Sequence, residues 1–223
     1  MSAPLRLVLF DVDGTLVDSQ GSIVHSMTAS FQAASVPVPT RKAILSIVGL
    51  SLPHAIARLV PEQPLSVQND LVDGYKEAYH AHRLELGAAS SPLYPGAREA
   101  IEALHAVPEV LLGVATGKSQ RGLDALIEAH GLEPYFVTRQ VADHHPSKPH
   151  PSMVQTALAE TGVDPGCAVM IGDTSFDMDM AAAADVRGIG VTWGYHDRSA
   201  LTAASCIIET FDQLPNALAG MWD

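Results

Sequence analysis

The feature that most constrains the fold of this 223-residue chain is a series of short apolar segments that end at polar or glycine-containing turns. The segments are Leu5–Phe10, Val110–Ala115, Ala168–Ile171, Gly188–Val191 and Cys206–Ile208. Apolar runs of this length without alternating polar residues indicate strands buried on both faces, as in a parallel sheet. Helical patterns lie between them, for example at Ser119–His130 and Pro151–Thr161. The alternation predicts an α/β fold with a doubly wound, Rossmann-like parallel sheet.

The alternation breaks between the first and second predicted strands. From about residue 21 to residue 86 the sequence shows no clear strand, and prolines divide it into helical pieces. In one piece, Ile23, Met27 and Phe31 fall on one helical face. A stretch rich in serine, proline and glycine at 90–96 leads back to the strand pattern. We therefore predict a small all-helical cap domain at 18–90, inserted after strand 1 into an α/β core made of 1–17 and 91–223.

Composition and charge limit the classes of partner. The chain is 47% hydrophobic and 17% charged, which is typical of a globular protein with a substantial core. Its net charge of −12 argues against a nucleic-acid partner, although one local cluster of donors can still bind a small anion. The apolar run Leu5–Phe10 is too short for a signal peptide or a membrane span. We expect a cytoplasmic protein, monomer or homodimer, with no membrane partner.

The strongest local signal is Asp11-Val12-Asp13-Gly14-Thr15, which follows the first strand directly. Ligands of open parallel sheets bind at the carboxyl ends of the strands, where these aspartates are expected. Two carboxylates about 4 Å apart repel each other by about 1 kcal/mol in water and about 4 kcal/mol at an effective dielectric of 20. A cation offsets that repulsion, and hard oxygen ligands suit Mg²⁺. The alternative interpretation is a solvated surface turn.

Three further segments place polar side chains beside this turn. The second strand runs into Thr116-Gly117-Lys118, just before a helix that begins near Ser119. The free N–H groups at the start of that helix can bind phosphate oxygens, although the segment can also be an ordinary helix cap. Another strand runs into Asp173, and Asp177 lies one turn into a helix that begins near Thr174. Lys148, in an extended segment before Pro149, is the one fixed cation expected beside the aspartates.

These four segments, in this order, resemble the four motifs of the haloacid dehalogenase superfamily. The resemblance runs from Leu5 to about Trp193, and the insertion resembles the helical cap of phosphoglycolate phosphatases and β-phosphoglucomutases. It implies a phosphoric monoester hydrolase acting on a small phosphorylated metabolite, with a phosphoglycolate-like monoester as the first candidate. The implied reaction passes through an aspartyl-phosphate intermediate.

The resemblance also implies a role for each site residue. Asp11 is the nucleophile, and Asp13 protonates the leaving oxygen before activating water. Thr116, Gly117 and Lys148 bind the phosphoryl group.

The implied metal is Mg²⁺. Its ligands are Asp11, the backbone carbonyl of Asp13, and Asp173. Asp177 acts on the waters of the metal or on Lys148.

Two departures from the family pattern bear on the substrate. Gly117 stands where many relatives have asparagine, and Leu52 stands where mutase-type relatives have arginine, three residues after Gly49. A β-phosphoglucomutase-like phosphomutase remains the main alternative. A haloacid dehalogenase needs only one nucleophilic aspartate and no metal, so Asp13 and the pair Asp173 and Asp177 count against it. A phospho-accepting receiver module has about half this length and no cap.

Overall fold

The computed structural model describes residues 4–222. Within that range the chain forms one six-stranded parallel sheet with the order β3-β2-β1-β4-β5-β6. The strands are β1 (Arg6–Phe10), β2 (Val110–Thr116), β3 (Phe136–Val141), β4 (Ala168–Gly172), β5 (Arg187–Val191) and β6 (Cys206–Ile208). This order reverses direction at β1, as in doubly wound folds. The predicted fold class is confirmed.

Helices occupy both faces of the sheet and the long connection between β1 and β2. The helices in the described range are α1 (Gln20–Ala33), α2 (Arg41–Leu45), α3 (Leu52–Leu59), α4 (Leu65–Leu86), α5 (Ala97–His105), α6 (Gln120–His130), α7 (Ser152–Thr161), α8 (Ser175–Ala183) and α9 (Leu214–Trp222). We call α1–α4 the helical insertion. None of the helices within residues 4–222 is long and apolar enough to cross a membrane.

The core divides into three apolar clusters. Side chains of β1 alternate between the two faces of the sheet, so Val8 and Phe10 join one cluster while Leu7 and Leu9 join the other. The helical insertion has its own cluster, which includes the buried side chain of Phe31. Each layer thus removes its apolar surface from water.

Strand β3 is a strand that the sequence patterns did not reveal. Its sequence alternates buried and more exposed positions, with Thr138 and Gln140 buried although they are polar. It forms the edge of the sheet, where β2 is the strand that pairs with it. A search for continuously apolar runs overlooks such an edge strand.

The helical insertion leaves and rejoins the core at adjacent points. The backbone N–H of Asp18 donates to the carbonyl of Pro92 at 2.8 Å, and Tyr94 N–H donates to the Leu16 carbonyl at 3.0 Å. The chain therefore crosses between core and insertion twice, side by side. The exact domain limits, 18–90 against 1–17 and 91–223, stay a prediction.

Candidate active site

The centre of the site is a buried lysine between two carboxylates. Lys148 Nζ lies 2.8 Å from Asp11 Oδ1 and 2.6 Å from Asp177 Oδ1, and the lysine side chain is 0% exposed. Lys148 lies in a turn closed by a hydrogen bond from His150 N–H to the Ser147 carbonyl, rather than in the extended segment predicted from Pro149. The turn brings the ammonium into the sheet edge, where both aspartates accept its hydrogen bonds.

Burial perturbs the acid–base properties of this group. Burial raises the pKa of Asp11 to about 7 although Lys148 opposes the rise. The pKa of Asp173 is raised well above its ordinary value by burial and by the neighbouring carboxylates. Burial alone would lower the pKa of Lys148, but Asp11 and Asp177 outweigh it and raise that pKa. The lysine therefore stays charged, while the carboxylates repel one another.

Asp11 has an oxygen that no described group satisfies. Its Oδ1 accepts from Lys148, but its buried Oδ2 has no hydrogen-bond partner within the described residues. Buried polar atoms are almost always paired, so an orphaned carboxylate oxygen calls for an explanation. Asp11 also lines the cavity described below, so a ligand bound there would lie beside this carboxylate.

The end of β4 and the start of α8 position two further aspartates. Thr174 caps α8, and its side chain and that of Asp177 hydrogen-bond reciprocally to each other's backbone, forming a capping box. Asp173 accepts from Thr15 Oγ1 at 3.0 Å and from the backbone N–H of Tyr195 at 2.8 Å. The helix start therefore fixes Asp177, while Thr15 and the loop after β5 fix Asp173.

Three carboxylates converge in the way that a cation requires. Ligand oxygens of Asp11, Asp173 and Asp177 lie within 4.8 Å of one another, and all three residues are buried. Hard carboxylate oxygens are the ligands that Mg²⁺ prefers. The donor set therefore fits a divalent cation, whose charge would relieve the repulsion that raises these pKa values.

Asp13 lies next to this cluster and has partners that the sequence patterns did not assign. Lys118 Nζ lies 2.7 and 2.8 Å from the two carboxylate oxygens, and Ser19 Oγ makes a short hydrogen bond to Oδ1. Lys118 Nζ also donates to the hydroxyl oxygen of Tyr79 at 3.2 Å. Lys148 is therefore not the only buried cation beside the aspartates, because Lys118 is a second, largely buried one, paired with Asp13.

Tyr195, in the loop after β5, contacts the segment that carries Asp13. Its hydroxyl lies 3.0 Å from Ser19 Oγ and accepts from the Ser19 backbone N–H at 3.1 Å. Trp193 is partly buried against the core, and its Nε1 donates to the Thr15 carbonyl at 3.0 Å. The loop after β5 therefore braces the segment that carries Asp13. The sequence offered no signal for this contact, since the partners are 176 positions apart.

The end of β2 forms another side of the site. Thr116 is 1% exposed, and its Oγ1 accepts from the backbone N–H of Lys118 at 3.2 Å. The predicted helix start is confirmed, because Ser119 caps α6 and accepts from the Gly122 N–H. A Cβ on Gly117 would lie 2.6 Å from the carbonyl oxygen of Gly49 in the helical insertion. Only glycine at this position allows the insertion to approach so closely.

A cavity of about 400 Å³ opens between the sheet edge and the helical insertion. The core contributes polar residues to its lining, namely Asp11, Asp13, Thr116, Lys118 and Ser147. The insertion contributes a mainly apolar wall with Ile23, Met27, Val48, Leu50, Leu52, Tyr75 and Tyr79. The predicted site residues Asp11, Asp13, Thr116 and Gly117 thus face one cavity, with Lys148, Asp173 and Asp177 in contact with or close to Asp11.

Comparison with known proteins finds a matching family and similar sequences and structures. Residues 8–191 match the model of the haloacid dehalogenase-like hydrolase family. A probable phosphatase, IndB, of Dickeya dadantii is 36% identical over 95% of this chain and 92% of its own length. A phosphoglycolate phosphatase of Agrobacterium fabrum is 32% identical over 88% of this chain and 84% of its own.

Solved structures support the fold. A hydrolase from Pseudomonas syringae superposes with a TM-score of 0.85 at 23% identity, covering 98% of this chain and 100% of the other. A haloacid dehalogenase-like family protein from Streptococcus pneumoniae gives a TM-score of 0.82 at 24% identity, covering 96% and 98%. From its sequence match along most of its length, this chain is an enzyme that belongs to the haloacid dehalogenase-like hydrolase family.

Proposed function

We propose that this protein is a Mg²⁺-dependent phosphatase that hydrolyses a small phosphorylated metabolite through a phosphorylated Asp11. The observation that carries the proposal is the buried, unpartnered Oδ2 of Asp11 in a residue that lines the cavity, while Lys148 holds the other oxygen. A carboxylate oriented through one oxygen and free at the other is suited to attack phosphorus. The phosphatase names of relatives at 30–36% identity support the same reaction class.

The two half-reactions balance with Asp11 and Asp13 alone. In the first, Asp11 Oδ2 attacks phosphorus, the bond from phosphorus to the leaving oxygen breaks, and Asp13 gives that oxygen its proton. In the second, water attacks the phosphorus of the aspartyl-phosphate, Asp13 takes the proton of the water, and the Asp11 carboxylate is released with inorganic phosphate. Both aspartates line the same cavity, which this sequence of steps requires.

Thr116, Gly117 and Lys148 are the proposed binding groups for the transferred phosphoryl oxygens. Thr116 offers a hydroxyl at the end of β2, and Gly117 offers a backbone N–H beside it. Lys148 is the charged donor, and its burial keeps water from competing with the phosphate. These groups offset charge where the oxygens of the transition state become more negative.

The proposed ligands of Mg²⁺ are Asp11, the backbone carbonyl of Asp13, and Asp173. Asp177 belongs to the same carboxylate cluster, but Lys148 and Thr174 already occupy its two oxygens, so we assign it the role of orienting Lys148. When bound, the cation supplies positive charge that polarises the phosphoryl group and offsets the repulsion between nucleophile and substrate.

Phosphate release with and without Mg²⁺ tests the proposal. We expect release that EDTA abolishes and that Asp11→Asn loses, while the variant keeps the thermal stability of a folded protein. Asp179→Asn is the matched control, because Asp179 is exposed on α8 and outside the site. Acid quenching during turnover should trap a phosphoprotein on the wild type only. An Asp11→Asn protein that is active, and that mass spectrometry shows not to be deamidated, would exclude the covalent route.

The first substrate to test is phosphoglycolate, because relatives at 32% and 30% identity are named phosphoglycolate phosphatases. Glucose 1-phosphate tests the alternative reaction. Its conversion to the 6-phosphate without release of inorganic phosphate would make the protein a phosphomutase.

A further inference from the structure

The wall that faces Asp13 across the cavity is apolar and aromatic. Ile23, Met27 and Val48 of the helical insertion are at most 7% exposed, yet they line the cavity. Tyr75 and Tyr79 lie one turn apart on α4, with ring centroids 5.7 Å apart and an angle of 28° between their planes. A wall of this kind removes apolar surface of a ligand from water, but it offers few hydrogen bonds.

The position of the leaving group follows from the role of Asp13. The leaving oxygen must lie within hydrogen-bond distance of the Asp13 carboxyl. Lys118 Nζ donates to Oδ1 of that carboxyl at 2.7 Å. Lys118 in turn lies 3.2 Å from the Tyr79 hydroxyl. A substrate bound through its phosphate at Thr116 therefore directs the rest of the molecule past Lys118 and Tyr79 toward the apolar wall.

The side chains along that path leave no free lysine or arginine for an acidic leaving group. Among the described residues that line the cavity, the basic ones are Lys76, Lys118, His54 and His145. The two ring nitrogens of His145 lie 2.8 Å from Ser152 Oγ and Gln140 Oε1, and burial lowers its pKa. His54 is exposed, and its Nδ1 lies 3.0 Å from Ser51 Oγ. Lys76 is 61% exposed and pairs with Asp73, while Lys118 is paired bidentately with Asp13. If Lys118 turned to a substrate carboxylate, that carboxylate and Asp13 would share a single ammonium beside the bound phosphate. Like charges so placed in a low-dielectric site repel strongly.

The volume agrees with a ligand larger than a two-carbon acid. The cavity of about 400 Å³ falls within the range of roughly 300–1,000 Å³ that small-molecule sites occupy. The relative at 36% identity is named only a probable phosphatase, so its name leaves the leaving group open.

Resting on the proposed phosphatase function, we infer that the preferred substrates are phosphate monoesters with an uncharged, ring-bearing leaving group, seated against Tyr75, Tyr79 and the apolar wall of the helical insertion. The ring stacks or packs on the tyrosines, and the oxygen next to the ring lies beside Lys118. Phosphoglycolate is then a poor substrate, because its carboxylate meets no free lysine or arginine and its two carbons leave the wall uncovered.

Matched substrates separate charge from size. We expect kcat/KM for benzyl phosphate to exceed that for phosphoglycolate by at least about tenfold, a ratio in the range that one filled apolar pocket provides. Adding a carboxylate at the para position of the benzyl group should lower kcat/KM by at least about tenfold, because it places a negative charge against the apolar wall. The comparison is matched, because this group barely changes the chemistry of the leaving oxygen. A preference for phosphoglycolate, or equal rates with and without the para carboxylate, overturns the inference.

Binding distinguishes this inference from the proposed reaction. Neither benzylphosphonate nor phosphonoacetate can be hydrolysed at its phosphorus–carbon bond, so calorimetry with Mg²⁺ present measures their binding alone. Benzylphosphonate should bind more tightly than phosphonoacetate, because its ring covers the apolar wall. That order without turnover of any monoester would refute the proposed function and keep the assigned site. The reverse order would refute the assigned site even if phosphatase activity were found.

A charge placed in the wall provides the converse test. Leu52 lines the cavity and is half-buried, so Leu52→Arg introduces a cation there, and Leu52→Gln is a control of polar character without charge. Leu52→Arg should raise the ratio of phosphoglycolate to benzyl phosphate kcat/KM at least about tenfold over Leu52→Gln. Equal ratios in the two folded variants, as judged by thermal melting, contradict the charge argument.

Discussion

Lys148→Met removes the ammonium at the centre of the site and keeps most of the buried side-chain volume. The lysine side chain is 0% exposed, and both of its carboxylate partners are at most 1% exposed. Removing one partner of a buried ion pair costs about 3–5 kcal/mol, because the other charge stays buried without compensation. Here Asp11 and Asp177 both lose the ammonium, so we expect a loss of about 3 kcal/mol or more in the free energy of unfolding at alkaline pH without metal.

The loss depends on pH in a direction that the pKa of Asp11 fixes. Burial raises this pKa to about 7 against the opposing effect of Lys148, so the variant has a pKa higher still. Between the unfolded and folded pKa values the native state binds more protons, and the free energy of unfolding falls with rising pH by up to about 1.4 kcal/mol per unit. The part of this fall that comes from Asp11 ends near pH 7 in the wild type but continues above it in the variant. The difference between them therefore grows above pH 7.

Urea unfolding in EDTA at about pH 5.5, 7 and 8.5 measures this difference. Lys42→Met is the control, since Lys42 is exposed on α2 and its removal should cost less than about 0.5 kcal/mol. Adding Asp177→Asn to Lys148→Met should recover part of the loss, because one uncompensated carboxylate disappears. A cost of less than about 1 kcal/mol at pH 8.5, or a cost that is the same at all three values, would refute the reasoning.

Two glycines give further predictions, with Gly166→Ala as a common control because a Cβ there meets nothing within 4 Å. Gly117→Ala places a Cβ 2.6 Å from the Gly49 carbonyl oxygen, so the insertion must move away, and steady-state kinetics should show kcat/KM lowered by about tenfold or more. Gly14→Ala combines a φ of +87° with a Cβ 2.2 Å from Asp173 Oδ2. It should lower the free energy of unfolding by more than about 1 kcal/mol in urea and weaken Mg²⁺ binding in calorimetry. Either variant behaving like Gly166→Ala would contradict the close approach on which its prediction rests.

The sequence predicts the parts of the molecule that local pattern determines. Continuous apolar runs located five of the strands, and the polar residues that end β1, β2 and β4 were correctly expected at one edge. Edge strand β3 was missed because its buried Thr138 and Gln140 are polar. The contact between Lys118 and Asp13 was missed for another reason, since it joins positions 105 apart and depends on how two strand ends and α4 meet. Such contacts follow from tertiary packing, which no local pattern encodes.

Gly117 shows why motif identity alone does not determine the substrate of this chain. An asparagine at this position, as in many similar proteins, would place a side chain beside the substrate. In this structure even a Cβ would meet the carbonyl oxygens of Gly49 and Leu50 at 2.6 and 2.7 Å. The side chain at 117 and the close approach of the insertion therefore exclude each other. Because the same insertion carries the apolar wall, the residue at 117 limits how near that wall can lie to Asp13. On the proposed function, it thereby limits which leaving groups fit.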